Sequence, residues 1–160
     1  MSVISKLVSA TFTRPDNTTA YTANDVVGPT TTANLKFGNT GLPMGEEFMV
    51  IGASLRFNKG TVPSGMGQFR LHLFNEAPTA IADNAAFNII EADRSKYVGN
   101  ILLPLPSNFG DTLHSANNNS RLTGKFAVSS FTLYGVLETL EAYTPTAESV
   151  AVVEIKVVAI

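Results

Sequence analysis

Hydrophobic residues alternate with polar ones in two long stretches of the chain. In FMVIGASLRFN, Met49, Ile51, Ala53, Leu55 and Phe57 fall on one side, and Gly52, Ser54, Arg56 and Asn58 on the other. In GQFRLHLFN, Phe69, Leu71 and Leu73 alternate with Gln68, Arg70 and His72. A period of two is the mark of a half-buried antiparallel strand, because successive side chains leave a pleated backbone on opposite faces. Between these runs KGTVPSGMG carries Gly60, Pro63, Gly65 and Gly67, so the pair reads as a hairpin with a loose loop. The end of the chain repeats the arrangement. FTLYGVLETLEAY and SVAVVEIKVVAI are two strand candidates separated by Thr144–Glu148, and Ala151, Val153, Ile155 and Val157 form the inward set of the last. Its β-branched residues make a poor helix and a good strand. Val152 and Val158 leave the second face partly apolar, which predicts that it too is covered.

SKLVSATFT, DVVGP, ANLKF and NILLPLP are shorter strand candidates, the last stopped by Pro104 and Pro106. Only ADNAAFNIIEADRSKYV has helical character, enough for one or two short turns with Asp83 and Asp93 as caps. Pro104 to Gly124 reads as one long Asn- and Ser-rich loop. About eight strands with almost no helix predict an all-β fold. The expected architecture is an antiparallel β-sandwich, with a jelly-roll topology ahead of an immunoglobulin-like sandwich and a closed barrel. The 160 residues suffice for one domain spanning 1–160, with residues 1–14 available as an N-terminal arm. No fixed-period repeat is visible, which argues against propellers and solenoids.

Composition changes the picture in three ways. Charged residues are only 15% of the chain against 44% hydrophobic ones, so its polar surface is built from Ser, Thr and Asn. A net charge of −2 supplies no general attraction for nucleic acid or an acidic membrane, and neither is expected as a partner. With no cysteine there are no disulfides and no thiolate metal sites. The opening MSVISKLVSATF lacks the continuous apolar block of a secretion signal, and no run is long enough to span a bilayer, so assembly in a cytoplasm is expected. The tripeptides at Asn17 and Asn118 that match the glycosylation pattern then read as polar turns.

Candidate chemistry is sparse. TRPDNTTAYTANDVVG offers Arg14, Asp16, Tyr21 and Asp25 as a polar cluster for a ligand or metal, but loop chemistry explains each member. Pro15 extends Arg14, Asp16 and Asn17 bond their own backbone, and Asp25 can accept amides near Val26 and Val27. The stretch reads as a connector. His72 and His114, the only histidines, are far apart in sequence and lack zinc spacing, so a surface or interface place is expected for His72. No nucleophile elbow, phosphate loop or dinucleotide fingerprint occurs, and Glu46 and Glu47 are neighbours that face opposite ways in a strand. Calcium would look first to Asn108, Asp111 and Asn117–Asn119, a thinner oxygen set than that ion takes. No catalytic residue, cofactor or metal is expected. Arg14, Tyr21, Arg70 and His72 are the residues read as an interface set.

Three blocks carry a resemblance. VSATFTRPDNTTAYTANDVVG, FRLHLFNEAPTAIADNAAFNIIEADRSKYVGNILLP and LYGVLETLEAYTPTAESVAVVEIKVV together resemble small structural proteins found in the virions of tailed bacteriophages. The resemblance implies a virion component, most simply a head decoration or cement protein on the capsid exterior. It further implies a jelly-roll that assembles as a dimer or trimer and has the major capsid protein as partner. A tail, fibre or baseplate component, or a host-glycan-binding module of the same fold, is the alternative. The resemblance brings no catalytic residues with it.

Overall fold

The computed structural model describes residues 4–160, and its strands form two packed sheets. The strands are β1 (Ser5–Thr13), β2 (Leu35–Phe37), β3 (Glu47–Phe57), β4 (Phe69–Phe74), β5 (Tyr97–Leu103), β6 (Ser107–Asn108), β7 (Leu113–Asn117), β8 (Leu122–Lys125), β9 (Leu133–Thr139) and β10 (Val150–Ala159). A single 3₁₀ turn, Glu91–Lys96, precedes β5. One sheet runs β1-β10-β3-β7-β6, with β8 pairing the other end of β3, and the second runs β2-β9-β4-β5.

The pairings nest. β1 lies antiparallel to β10, β2 to β9, β3 to β7 and β8, and β4 to β5. A long hairpin whose arms pair first with last and inner with inner, then rolls over so that β10 meets β3 and β9 meets β4, is a jelly roll. The fold class read from the sequence is therefore the observed one. Local pairing is not as expected. β3 and β4 are not a hairpin but lie in opposite sheets, and so do β9 and β10. Periodicity reports which side of a strand is buried, and says nothing about which strand lies beside it. The loops from Asn58 to Gln68 and from Leu140 to Ser149 cross the sandwich, over the roughly 10 Å that separates packed sheets.

Between the sheets lies a dry core. Phe69, Leu71 and Leu73 of β4 and Ala151, Val153, Ile155 and Val157 of β10 are all fully buried, as their alternation required. β3 departs from its own pattern. The buried set is Phe48 and Val50, then Ala53, Leu55 and Phe57, while Met49 and Ile51 are half-buried on the other side. The register explains it: Lys156 faces Gly52 but Val157 faces Val50, so Ile51 is an extra residue opposite the β10 step. Such a β-bulge shifts the alternation by one, and everything before it changes face. A second bulge, in β5 beside the Leu73–Phe74 step, places Gly99 at φ 148°, in the region that favours glycine.

Other segments also differ from expectation. Pro104–Gly124 is not one loop, since it supplies β6, β7 and the start of β8. Short strands of Ser, Asn and Thr carry little hydrophobic alternation, and tertiary pairing, of β7 and β8 with β3 and of β6 with β7, determines them. DVVGP forms only isolated bridges, Asp25 to Ala86 and Val26 to Glu138. Within the stretch read as an arm, residues 5–13 are β1 itself, zipped along β10 in one continuous register. Asp83 and Asp93 cap no helix. The 3₁₀ turn begins after Ile90 without a side-chain cap, and Asp93 within it accepts the Thr79 amide (2.9 Å) and pairs with Lys96 (2.8 Å).

The outer face of the β2-β9-β4-β5 sheet is itself covered. Val26, Phe74 and Val136 are buried there beneath Ile81, Phe87 and Ile89 of the long connection from β4 to β5. This second, smaller core places two polar clusters inside the molecule.

Candidate interaction surface

Arg14, the first residue after β1, is turned inward and only 1% exposed. Its guanidinium donates Nε–H to the Tyr21 hydroxyl, Nη1–H to the Thr146 carbonyl (3.1 Å) and Nη2–H to Asp83 (3.3 Å), and it lies 4.9 Å from the Tyr21 ring centre. The Tyr21 hydroxyl donates to the other Asp83 oxygen (2.5 Å), which also accepts the Gly28 amide (2.9 Å). Burial, with Tyr143 and Asp83 nearby, keeps the Tyr21 phenol protonated far above its ordinary range. The Tyr21 ring packs 5.0 Å from that of Tyr143, and the Tyr21 amide donates to the Tyr143 carbonyl (2.9 Å). One cluster thus ties the β1–β2 connection to the β9–β10 and β4–β5 connections.

The rest of TRPDNTTAYTANDVVG acts in the same way. Asn17 accepts the Thr19 amide (3.1 Å), and Asp25 accepts both the amide and the hydroxyl of Thr22 (2.6 and 3.0 Å). Asn24 takes a positive φ of 72°, and the Val27 amide bonds Leu137 (2.8 Å). The stretch is a connector, and its Arg14–Tyr21 pair is spent on internal bonds. Asp83 is the member that sequence reasoning misses. Its neighbourhood in the chain reads as a helix cap, and only the fold brings it across to Arg14.

His72 is a second departure. Its expected place is a surface or interface, and its side chain does leave the polar side of β4, but that side is roofed by Phe87, stacked on the imidazole at 3.7 Å between ring centres. His72 is 4% exposed. Nε2–H donates to Glu138 (2.8 Å), and Nδ1 accepts the Tyr97 hydroxyl (3.0 Å), which in turn accepts from Asn100 (3.1 Å). Arg70, partly exposed, reaches the same Glu138 oxygen (3.3 Å). Of the four residues read as an interface set, Arg70 alone keeps a substantial solvent-facing side chain.

Burial lowers the His72 pKa below its ordinary value; the Glu138 hydrogen bond and charge oppose this, and the Arg70 charge adds to it. The unfolded chain therefore binds a proton at His72 at a pH where the folded chain does not. The neutral imidazole contributes stability that is fully present above the unfolded pKa of about 6.5 and is lost as pH falls through the lower folded value. Thermal melts from pH 7.5 down to pH 5 should show a declining midpoint, and His72→Gln should flatten that slope. An unchanged slope in the variant would show that His72 is not the group responsible.

The exposed apolar residues lie elsewhere. The loop before β3 and the loop before β9 are joined by Gly45 N–H to Ala127 O (3.2 Å), Phe126 N–H to Glu46 O (3.0 Å) and the Thr40 hydroxyl to Phe131 O (2.9 Å). From this joined tip project Met44, Val128 and Phe131, with 51%, 87% and 37% of their surfaces in solvent. At the opposite end of the sandwich Phe109 is two-thirds exposed and stacks on His114, 5.3 Å between ring centres. Among the described residues no three His, Asp or Glu side chains gather as a metal site, and no helix is long and apolar enough to cross a membrane.

No known family model matches the chain, and no curated protein matches it in sequence. Among solved structures it is similar to the acid-stable capsid of Helicobacter pylori bacteriophage KHP30, at 16% identity and a TM-score of 0.36, over 98% of this chain and 88% of that one. It is also similar to the BFDV capsid protein in its 60-mer (6% identity, TM-score 0.39, 99% and 92% covered). A third is the K3 adhesin domain of Lys-gingipain from Porphyromonas gingivalis w83 (6%, TM-score 0.36, 95% and 74% covered). These scores are low, and function is read from this chain's own residues.

Proposed function

We propose that this chain is a non-catalytic structural protein of a tailed-bacteriophage virion, acting as a decoration or cement protein on the capsid exterior. The observation that carries the reading is the apolar tip formed by Met44, Val128 and Phe131. Apolar side chains grouped on two hydrogen-bonded loops and left in solvent are the usual mark of a protein-binding surface. The resemblance of three sequence blocks to tailed-phage virion proteins supports the setting, and the jelly-roll topology is one that viral shells use. The clusters that look chemical in the sequence are satisfied by internal hydrogen bonds, in keeping with a scaffold role.

In this role the tip sits at a junction between major capsid protein subunits. Many copies on one shell sum weak contacts into firm attachment. The test is binding of the purified chain to undecorated heads, followed by heating. Saturable binding and a raised disruption temperature are expected. Val128→Asp and Met44→Glu, both at exposed positions, should each weaken binding by about tenfold or more while leaving the melting temperature of the free protein nearly unchanged. Heads that take up no protein, or that are no tougher with it, would refute the cement role.

Phe109 favours a second reading, a tail or fibre component that binds host glycans, because an exposed ring is the platform on which a sugar stacks. Binding to a glycan array that Phe109→Ala abolishes would favour it over the first.

A further inference from the structure

The six-stranded sheet ends at β1, and the hydrogen bonds flanking that strand define which of its residues face outward. Ala159 N–H bonds Ile4 O (3.3 Å) and Arg14 N–H bonds Ser149 O (3.0 Å), in line with the register that sets Ser5 opposite Val158 and Thr13 opposite Val150. Bonded pairs alternate along an antiparallel ladder. Even-numbered residues of β1 therefore bond β10, and odd-numbered ones turn their N–H and C=O away from it. The Thr13 carbonyl confirms the parity by accepting from Thr30 N–H (3.0 Å). Ser5, Leu7, Ser9 and Thr11 have no such backbone partner among the described residues.

Sheet edges of this kind are ordinarily blunted by charge, proline, a bulge or a short strand. β1 has nine residues, one lysine, no proline and an unbroken register. It and the residue before it also carry two large apolar side chains in solvent, Ile4 (47% exposed) and Leu7 (64%). Leu7 stands on an outer face otherwise made of Ser5, Ser9, Thr11 and Thr13.

We infer that this edge pairs with the β1 edge of a second copy, antiparallel and centred on Leu7, joining two sheets into one across a two-fold axis. The strand is complementary to itself in that register. Leu7 meets Leu7 and Ser5 meets Ser9 in outward-bonding pairs, giving about six backbone hydrogen bonds, two per facing pair. The serine hydroxyls lie within reach of each other across the strands. On the other face Ile4 lies opposite Ala10, and Lys6 opposite Val8, so neither lysine directly faces its copy. A two-fold contact uses the same patch on both subunits, and this patch satisfies that condition. The pairing does not depend on the capsid assignment and can hold where that fails.

Sedimentation equilibrium of the full chain should show a dimer. Leu7→Pro should raise its dissociation constant by about 100-fold or more, because the ring removes an outward N–H that the isolated chain does not use. Its circular dichroism should be unchanged. Since the chain has no cysteine, Leu7→Cys supplies an independent probe. Facing Cα atoms about 5.5 Å apart permit a disulfide, so mild oxidation of the Leu7→Cys variant should crosslink the two copies, and oxidation of Thr13→Cys should not. A chain that sediments as a monomer into the high micromolar range would overturn the inference. So would a dimer that survives Leu7→Pro, or a Leu7→Cys variant that stays uncrosslinked.

Discussion

Replacing Arg14 by alanine is expected to destabilise the fold by about 3–5 kcal/mol, the usual cost of stranding one member of a buried ion pair. For a chain of this length that is a fall of about 10 °C in the melting midpoint. The size follows from what remains. Asp83, with its side chain only 8% exposed, would lose its guanidinium partner, and Tyr21 and the Thr146 carbonyl would each lose a donor. Three connections would come loose together, since the cluster joins segments far apart in sequence. Arg14→Met combined with Asp83→Asn should lose less than the two single changes summed, because no buried charge is left alone and Asn can still accept from Tyr21 and Gly28. A coupling of about 2 kcal/mol in that double-mutant cycle, from urea melts, is the expected result. A loss below about 1 kcal/mol in Arg14→Ala would mean that the cluster is an ornament of the loops and no tether.

The second large effect distinguishes the bulged strand from a regular one. Phe48→Ala should cost about 3–5 kcal/mol, as for other fully buried phenylalanines, and Met49→Ala about 1 kcal/mol. Phe48 has no exposed surface and its ring lies 4.6 Å from that of Phe126, whereas Met49 is half-buried on the outer face. An unbroken alternation through Ala53, Leu55 and Phe57 would invert the order, putting Met49 inside and Phe48 out. Chemical denaturation of the two variants decides between the two phases of the strand.

The strands that read most clearly in the sequence are those with one dry face and one wet one. Phe69–Leu73 and Ala151–Val157 are of that kind, and their inward sets are the observed ones. β3 is legible only after its bulge, because an inserted residue is invisible in a pattern rich in apolar side chains on both faces. Pairing is not legible at all. Nothing within GQFRLHLFN says that it belongs beside Leu133–Thr139 and Tyr97–Leu103 rather than beside β3, the strand that precedes it in the chain. The polar clusters are legible in part. Turn chemistry at Asn17 and Asp25 is local and can be read, whereas the Arg14–Asp83 and His72–Glu138 contacts join residues more than sixty positions apart. Polar residues opposite a hydrophobic face read as solvent-facing, and the connection that roofs His72 with Phe87 reverses that for β4.

Because the first strand lies alongside the last, Ser5 beside Val158, the larger sheet cannot be completed until the final ten-residue strand has been synthesised. A nascent chain leaving the ribosome holds β1 and β3 without the neighbour that belongs between them, exposing strand edges to other nascent chains. Completion of that sheet is governed by the closure of one very long loop, from β1 to β10.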